Sequence, residues 1–119
     1  MDAKSFNAEL QSGYGISLPA KHELFDEFLR VYASPGFSQR MGDAYIVATA
    51  DVIREIHRQG CPRWITPFMY VQQPNHCDYY GFDTTRKLGD ECPVAVFAVH
   101  TIVHEWQHFG AFLDWVKRL

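Results

Sequence analysis

Apolar positions along the chain change spacing from helical to alternating and back. Lys4 to Ser12 carries the pattern of a short helix, closed by Gly13 and Gly15. Ile16-Ser17-Leu18-Pro19 reads as a helix entrance, with Pro near the first helical position. From Pro19 to Tyr32, the side chains of Leu24, Phe25, Phe28, Leu29 and Tyr32 fall on one helical stripe, which Ser34-Pro35-Gly36 stops. Ala44 to Ala48 is a short strand around Ile46 and Val47. Thr49 then caps a helix through Arg58, with Val52, Ile53 and Ile56 facing inward and Gly60 and Pro62 ending it.

The second half is strand-rich. Trp64 to Gln72 is aromatic and β-branched, and Pro67 within it signals an edge position or a bulge. Gln73-Pro74-Asn75-His76 is a turn, Asp78 to Asp83 another strand, and Thr84 to Pro93 a polar loop. Val94 to His100 is apolar on both faces, which predicts a central buried strand. Phe109, Phe112, Leu113, Val116 and Leu119 recur at helical spacing and predict a terminal helix. Helices first, then strands, then a helix predict an α+β fold with a mostly antiparallel sheet.

Composition narrows the function. The 119 residues suit a single domain spanning 1–119, and 47% apolar content excludes disorder as the main state. The run Val94 to Val99 is too short to cross a bilayer, and Met1-Asp2-Ala3-Lys4 leads into no hydrophobic stretch, so no secretory leader and no membrane partner are expected. Eleven basic against fourteen acidic side chains argue against direct nucleic-acid binding. Cys61, Cys77 and Cys92 form no disulfide framework and fit reduced thiols in a cytoplasm. His57 and Cys61 stand four apart, but Gly60 and Pro62 bracket the cysteine, and a helix-end thiol packed against the core is the simpler reading.

One motif carries recognisable chemistry. His104-Glu105-Trp106-Gln107-His108 matches H-E-x-x-H, which on a helix places two imidazoles on one face for zinc and a glutamate to activate water. With six His and six Glu, about 0.015 such matches arise by chance in this chain. A zinc-dependent metallopeptidase is therefore the alternative, with His104 and His108 as ligands, Glu105 as base and Asp114 as third ligand. Context opposes it. On an unbroken helix Asp114 lies about 240° round and ~9 Å along from His108, out of reach of a shared ion. Thr101-Ile102-Val103 favours an extended segment, in which His104 and His108 are ~13 Å apart. Ile102, His104 and Trp106 would then share one face, and Val103, Glu105 and Gln107 the other. No metal, cofactor or catalytic residue is expected on that reading.

Other polar features point less far. His100 and His104 read as packed or solvated side chains, and nothing marks Asp78 and Asp83 as an acid–base pair. Trp64, Tyr79 and Trp106 are candidate surface anchors set against a core role, and Asp90-Glu91 reads as a solvated loop tip.

The order of segments resembles the SUKH superfamily, the Smi/Knr-like domains. The resemblance rests on five short pieces. They are Ile16-Ser17-Leu18-Pro19 before the Phe25-to-Arg30 helix, Ala44-Tyr45-Ile46-Val47 before the Asp51-to-Arg58 helix, Asp78-Tyr79-Tyr80-Gly81-Phe82-Asp83, Cys92-Pro93-Val94, and Phe109-Gly110-Ala111-Phe112-Leu113. Together they cover about residues 16 to 118. Their specificity lies in order and spacing. The resemblance implies a curved antiparallel sheet flanked by helices and no catalytic residues. It also implies a bacterial immunity protein that binds and neutralises a partner toxin, often a nuclease, as in toxin–antitoxin pairs, while fungal relatives are interaction modules. The His-rich segment His100 to His108 departs from the family pattern, which places a strand and a turn there. Tyr79, Asp90 and Glu91 are the partner-binding candidates, and the oligomeric state is open.

Overall fold

A computed structural model describes all 119 residues. The chain folds as α1 (Ala3–Tyr14), α2 (His22–Ala33), α3 (Phe37–Met41), β1 (Asp43–Ile46), α4 (Ala50–Arg58), β2 (Ile65–Gln72), β3 (Cys77–Asp83), β4 (Val94–Ala98), β5 (Thr101–Trp106) and α5 (Phe109–Lys117). The strands form one open sheet in the order β1-β2-β3-β4-β5, every neighbour antiparallel. The fold is α+β, as expected from the segment order. No helix is long and apolar enough to cross a membrane.

Local chemistry sets the helix ends. Asp2 accepts from the Ser5 amide at 2.8 Å while the Ser5 hydroxyl accepts from the Asp2 amide, a reciprocal cap on α1. Gly15 closes α1 in the left-handed region. Gly13, expected to end the helix, instead lies within it, at the close approach of α1 to α4 where a side chain would strike Ala50. Thr49 caps α4 as expected. Three α1 and α2 side chains cap other segments: Asp26 accepts from the Ala3 amide, Asn7 from Leu18 and Glu9 from Ala50. Glu9 thereby sets a carboxylate at the start of α4, where the helix dipole favours it.

Cross-strand register sorts side chains by face. Tyr80, Val96 and His104 stand in one row, and Phe82, Val94 and Trp106 in another on the same face. Here α2 and α5 pack, through Phe28 on Phe112 and Phe109 on Phe82. Phe6, Phe25, Phe28, Phe68, Phe82, Phe109 and Phe112 are fully buried and join N-terminal helices, sheet and C-terminal helix in one core. On the opposite face, Tyr45, Tyr70, Tyr79, Phe97 and Ile102 form a row across all five strands, and α4 covers part of it. Gly81 belongs to this face. A Cβ there would stand 2.6 Å from Ile65 Cγ2 and 2.7 Å from the Thr66 carbonyl oxygen, so only glycine fits beside the β2 bulge.

Several expectations need correction. Val52 is exposed on α4, whose buried face is Ala50, Ile53 and Ile56, so the inward stripe begins two residues earlier. Leu119 lies beyond α5 and is exposed. α3 is too short for a periodic signal and was not anticipated from the pattern. β4 is interior but not central, and ends at Ala98, since Val99 and His100 form the turn to β5 with φ of 47° and 72°. Pro67 needs no correction, since of its two expected settings, edge or bulge, it takes the bulge, in an interior strand.

Candidate functional site

The H-E-x-x-H segment is extended, then turns into a helix. His104, Glu105 and Trp106 lie in β5, and His108 is the N-cap of α5. The β-branched run Thr101-Ile102-Val103 pairs with β4 and carries the strand through Trp106. His104 faces the α5 side, its ring 4.3 Å from Trp106 and 6.5 Å from Trp115. Glu105 points to the other face and pairs with Arg86. His108 Nδ1 accepts from the Ala111 amide at 3.1 Å, which commits that ring nitrogen to the backbone. Asp114 is exposed on α5. No group of three or more His, Cys, Asp or Glu side chains is placed to hold a metal ion. The one-turn helical arrangement that zinc chemistry requires is therefore not how this segment folds. The expected face pattern holds only in part. A register shift at Val103, opposite Val96 and Phe97, puts Ile102 beside Phe97, on the face opposite His104 and Trp106.

The glutamate of the motif has a structural partner instead. Asp83, 3% exposed, accepts from the Thr85 amide at 3.0 Å, the Thr85 hydroxyl at 2.6 Å and Arg86 Nε at 2.9 Å. Arg86 reaches on to Glu105. Burial pushes the Asp83 carboxyl up, but the Thr85 and Arg86 hydrogen bonds together outweigh it, and the net shift is below the ordinary value. Asp83 also donates its own amide to the Pro93 carbonyl, at the far end of the loop. The Thr84-to-Pro93 loop is thus tied at both ends and braced against β5.

That loop presents Asp90 and Glu91, the two acidic candidates. They line a groove of about 950 Å³ between the Gly15-to-His22 segment and the loop. The Cys92 amide donates to the Pro19 carbonyl and closes one end of it. The groove wall is mixed, with Lys21, His22 and Lys87 beside the two carboxylates. Leu88 is 72% exposed at the loop tip, held by reciprocal backbone bonds with Glu91. Sequence reasoning missed Leu88, because a lone leucine in a polar loop carries no periodic signal.

Tyr79, the third candidate, is elsewhere and covered. It lies on the sheet face under α4, its hydroxyl 3.4 Å from Gln59 Oε1, and its phenol is pushed up to about 12, chiefly by burial. Trp64 is exposed, whereas Trp106 packs between Phe112 and Trp115. Asp78 bonds His76 and Gln73, on the face opposite Asp83. His57 Nε2 meets the Ile65 carbonyl oxygen at 2.7 Å, and burial pushes the Cys61 thiol up to about 12. His57 and Cys61 are thus engaged separately.

Comparison with protein-family models, with curated proteins and with solved structures gives no match to this chain.

Proposed function

We propose that the protein is a non-enzymatic, SUKH-like binding protein of the bacterial immunity type, acting in the cytoplasm on a partner toxin. The observation that carries this reading is the braced acidic loop. Asp83, Arg86 and Glu105 fix the segment that presents Leu88, Asp90 and Glu91, so little ordering entropy remains to be lost on binding. An exposed apolar tip beside two carboxylates suits a basic protein surface such as that of a nuclease, where charge steers encounter and the apolar contact slows release. The order of SUKH-like segments along the chain supports the same reading. No cofactor is part of it.

The test takes as partner any toxin-like product found encoded beside this protein's gene, and an isolated gene counts against the reading. Asp90→Lys with Glu91→Lys is expected to weaken binding at least about tenfold, mainly through a slower association rate, with the melting temperature unchanged. Undiminished binding by that variant, or no binding by the parent chain, would overturn the assignment. Purified protein is expected to carry far less than one zinc per chain; stoichiometric zinc lost on His104→Ala would return the peptidase reading.

A further inference from the structure

A second cleft shares no lining residue with the loop groove. It encloses about 420 Å³ and is lined by Gly13, Tyr14, Arg54, His57, Arg58 and Arg63. In a chain with net charge −3, three arginines around one small cleft reverse the local sign.

The polar chemistry of the lining is one-sided. Guanidinium groups only donate. Arg54 and Arg58 pair with Asp51 and Glu55 one helical turn away, but all four side chains are at least 48% exposed, so these pairs are weak and leave donor edges free. Arg63 enters no ion pair of the chain. His57 Nε2 faces the Ile65 carbonyl and therefore donates there. The Tyr14 hydroxyl is buried without any hydrogen-bond partner, the one such side-chain atom in the protein. Its ring stands edge-on to His57, and the charges of Arg54 and Arg63 act on it, with a weaker opposing effect from Asp51. A buried hydroxyl with no partner bears its full desolvation penalty, which an incoming acceptor relieves. The side chains that line the cleft gather donors, and the carboxylates of Asp51 and Glu55 stand outside its lining.

We propose that this cleft is an oxyanion site that takes a phosphoryl group, with Arg54, Arg58 and Arg63 supplying charge and Tyr14 the hydroxyl donor that the fold leaves unused. Three guanidinium forks match the three terminal oxygens and double charge of a phosphate monoester better than the two oxygens of a carboxylate. The phosphoryl group comes either free in solution or carried on a peptide chain. The site is independent of the toxin-binding reading.

The experiment is a titration of isotope-labelled protein with sodium phosphate, followed by NMR, against sodium chloride at matched ionic strength. Saturable shifts of Tyr14, Arg54 and Arg63 signals with phosphate alone are expected. Arg63→Ala is expected to weaken binding about tenfold, the share of one charge-assisted contact. Tyr14→Phe is expected to weaken it about fivefold while the melting temperature holds or rises, since the substitution removes an unsatisfied hydroxyl. A merely structural tyrosine would not move the affinity. Shifts that are linear and equal in both salts, or variants that bind like the parent, would overturn the site. A pentapeptide Gly-Gly-phosphoserine-Gly-Gly separates the sources. Tighter binding than inorganic phosphate assigns a chain-borne group, and equal or weaker binding assigns a free one.

Discussion

Asp83 keeps its charge in the interior because it accepts several hydrogen bonds at once, from Thr85 and Arg86. Its carboxyl is depressed in the folded state, so the stability it contributes is present above the unfolded carboxylate value of about 4 and is lost as pH falls through the lower, folded value. Urea unfolding followed from pH 5 down to pH 2 should show the parent losing stability across that acid window. Asp83→Asn should show a smaller loss there, from a baseline about 1–3 kcal/mol lower at neutral pH. An equal acid response in both would remove Asp83 as the cause. The aspartate was visible in the sequence only as part of a Phe-Asp strand end. Its role was not, because the partners that hold it, Thr85 and Arg86, sit in a loop whose path no periodicity describes.

At the scale of the element, the decisive segment is the passage from β5 to α5. Three identities in H-E-x-x-H suggest a helix, yet each of those side chains has a different local task. His104 packs on Trp106, Glu105 holds Arg86, and His108 caps α5. The extended reading was legible from Thr101-Ile102-Val103, whereas Gly110 lies inside α5 and does not mark the break. The bulge at Val103 was not legible, since alternation cannot announce an inserted residue. His108→Ala should cost ~1 kcal/mol in chemical unfolding, and His108→Asn should restore most of it, because asparagine caps as well. If alanine is neutral at this position, the cap is not what holds the start of α5.

Across the whole molecule, α2 and the last helix meet over the sheet through one aromatic core. Phe112 touches Phe28 from α2, Phe68 from β2 and Tyr80 from β3. Phe112→Ala is expected to lower unfolding free energy by about 3–5 kcal/mol in one cooperative transition. Separate transitions for helices and sheet would show that the core is not shared. The Cα radius of gyration, 13.2 Å, agrees with about 13.5 Å for a compact chain of this length. This layout was readable in outline, because stripes such as Phe25-Phe28 and Phe109-Phe112 mark one face of each helix. The wrapping of α4 onto the opposite sheet face was not, because Gly13 against Ala50 and Gln59 against Tyr79 are distant in sequence and carry no mutual signal.

The last hairpin has a kinetic corollary. Val99 and His100 both hold left-handed backbone angles, which a β-branched residue resists and Asn-Gly adopts readily. We expect this hairpin to zip late, after the phenylalanine nucleus has formed. Val99→Asn with His100→Gly should then slow unfolding in stopped-flow measurements while leaving the refolding rate nearly unchanged; faster refolding would instead place the turn in the transition state.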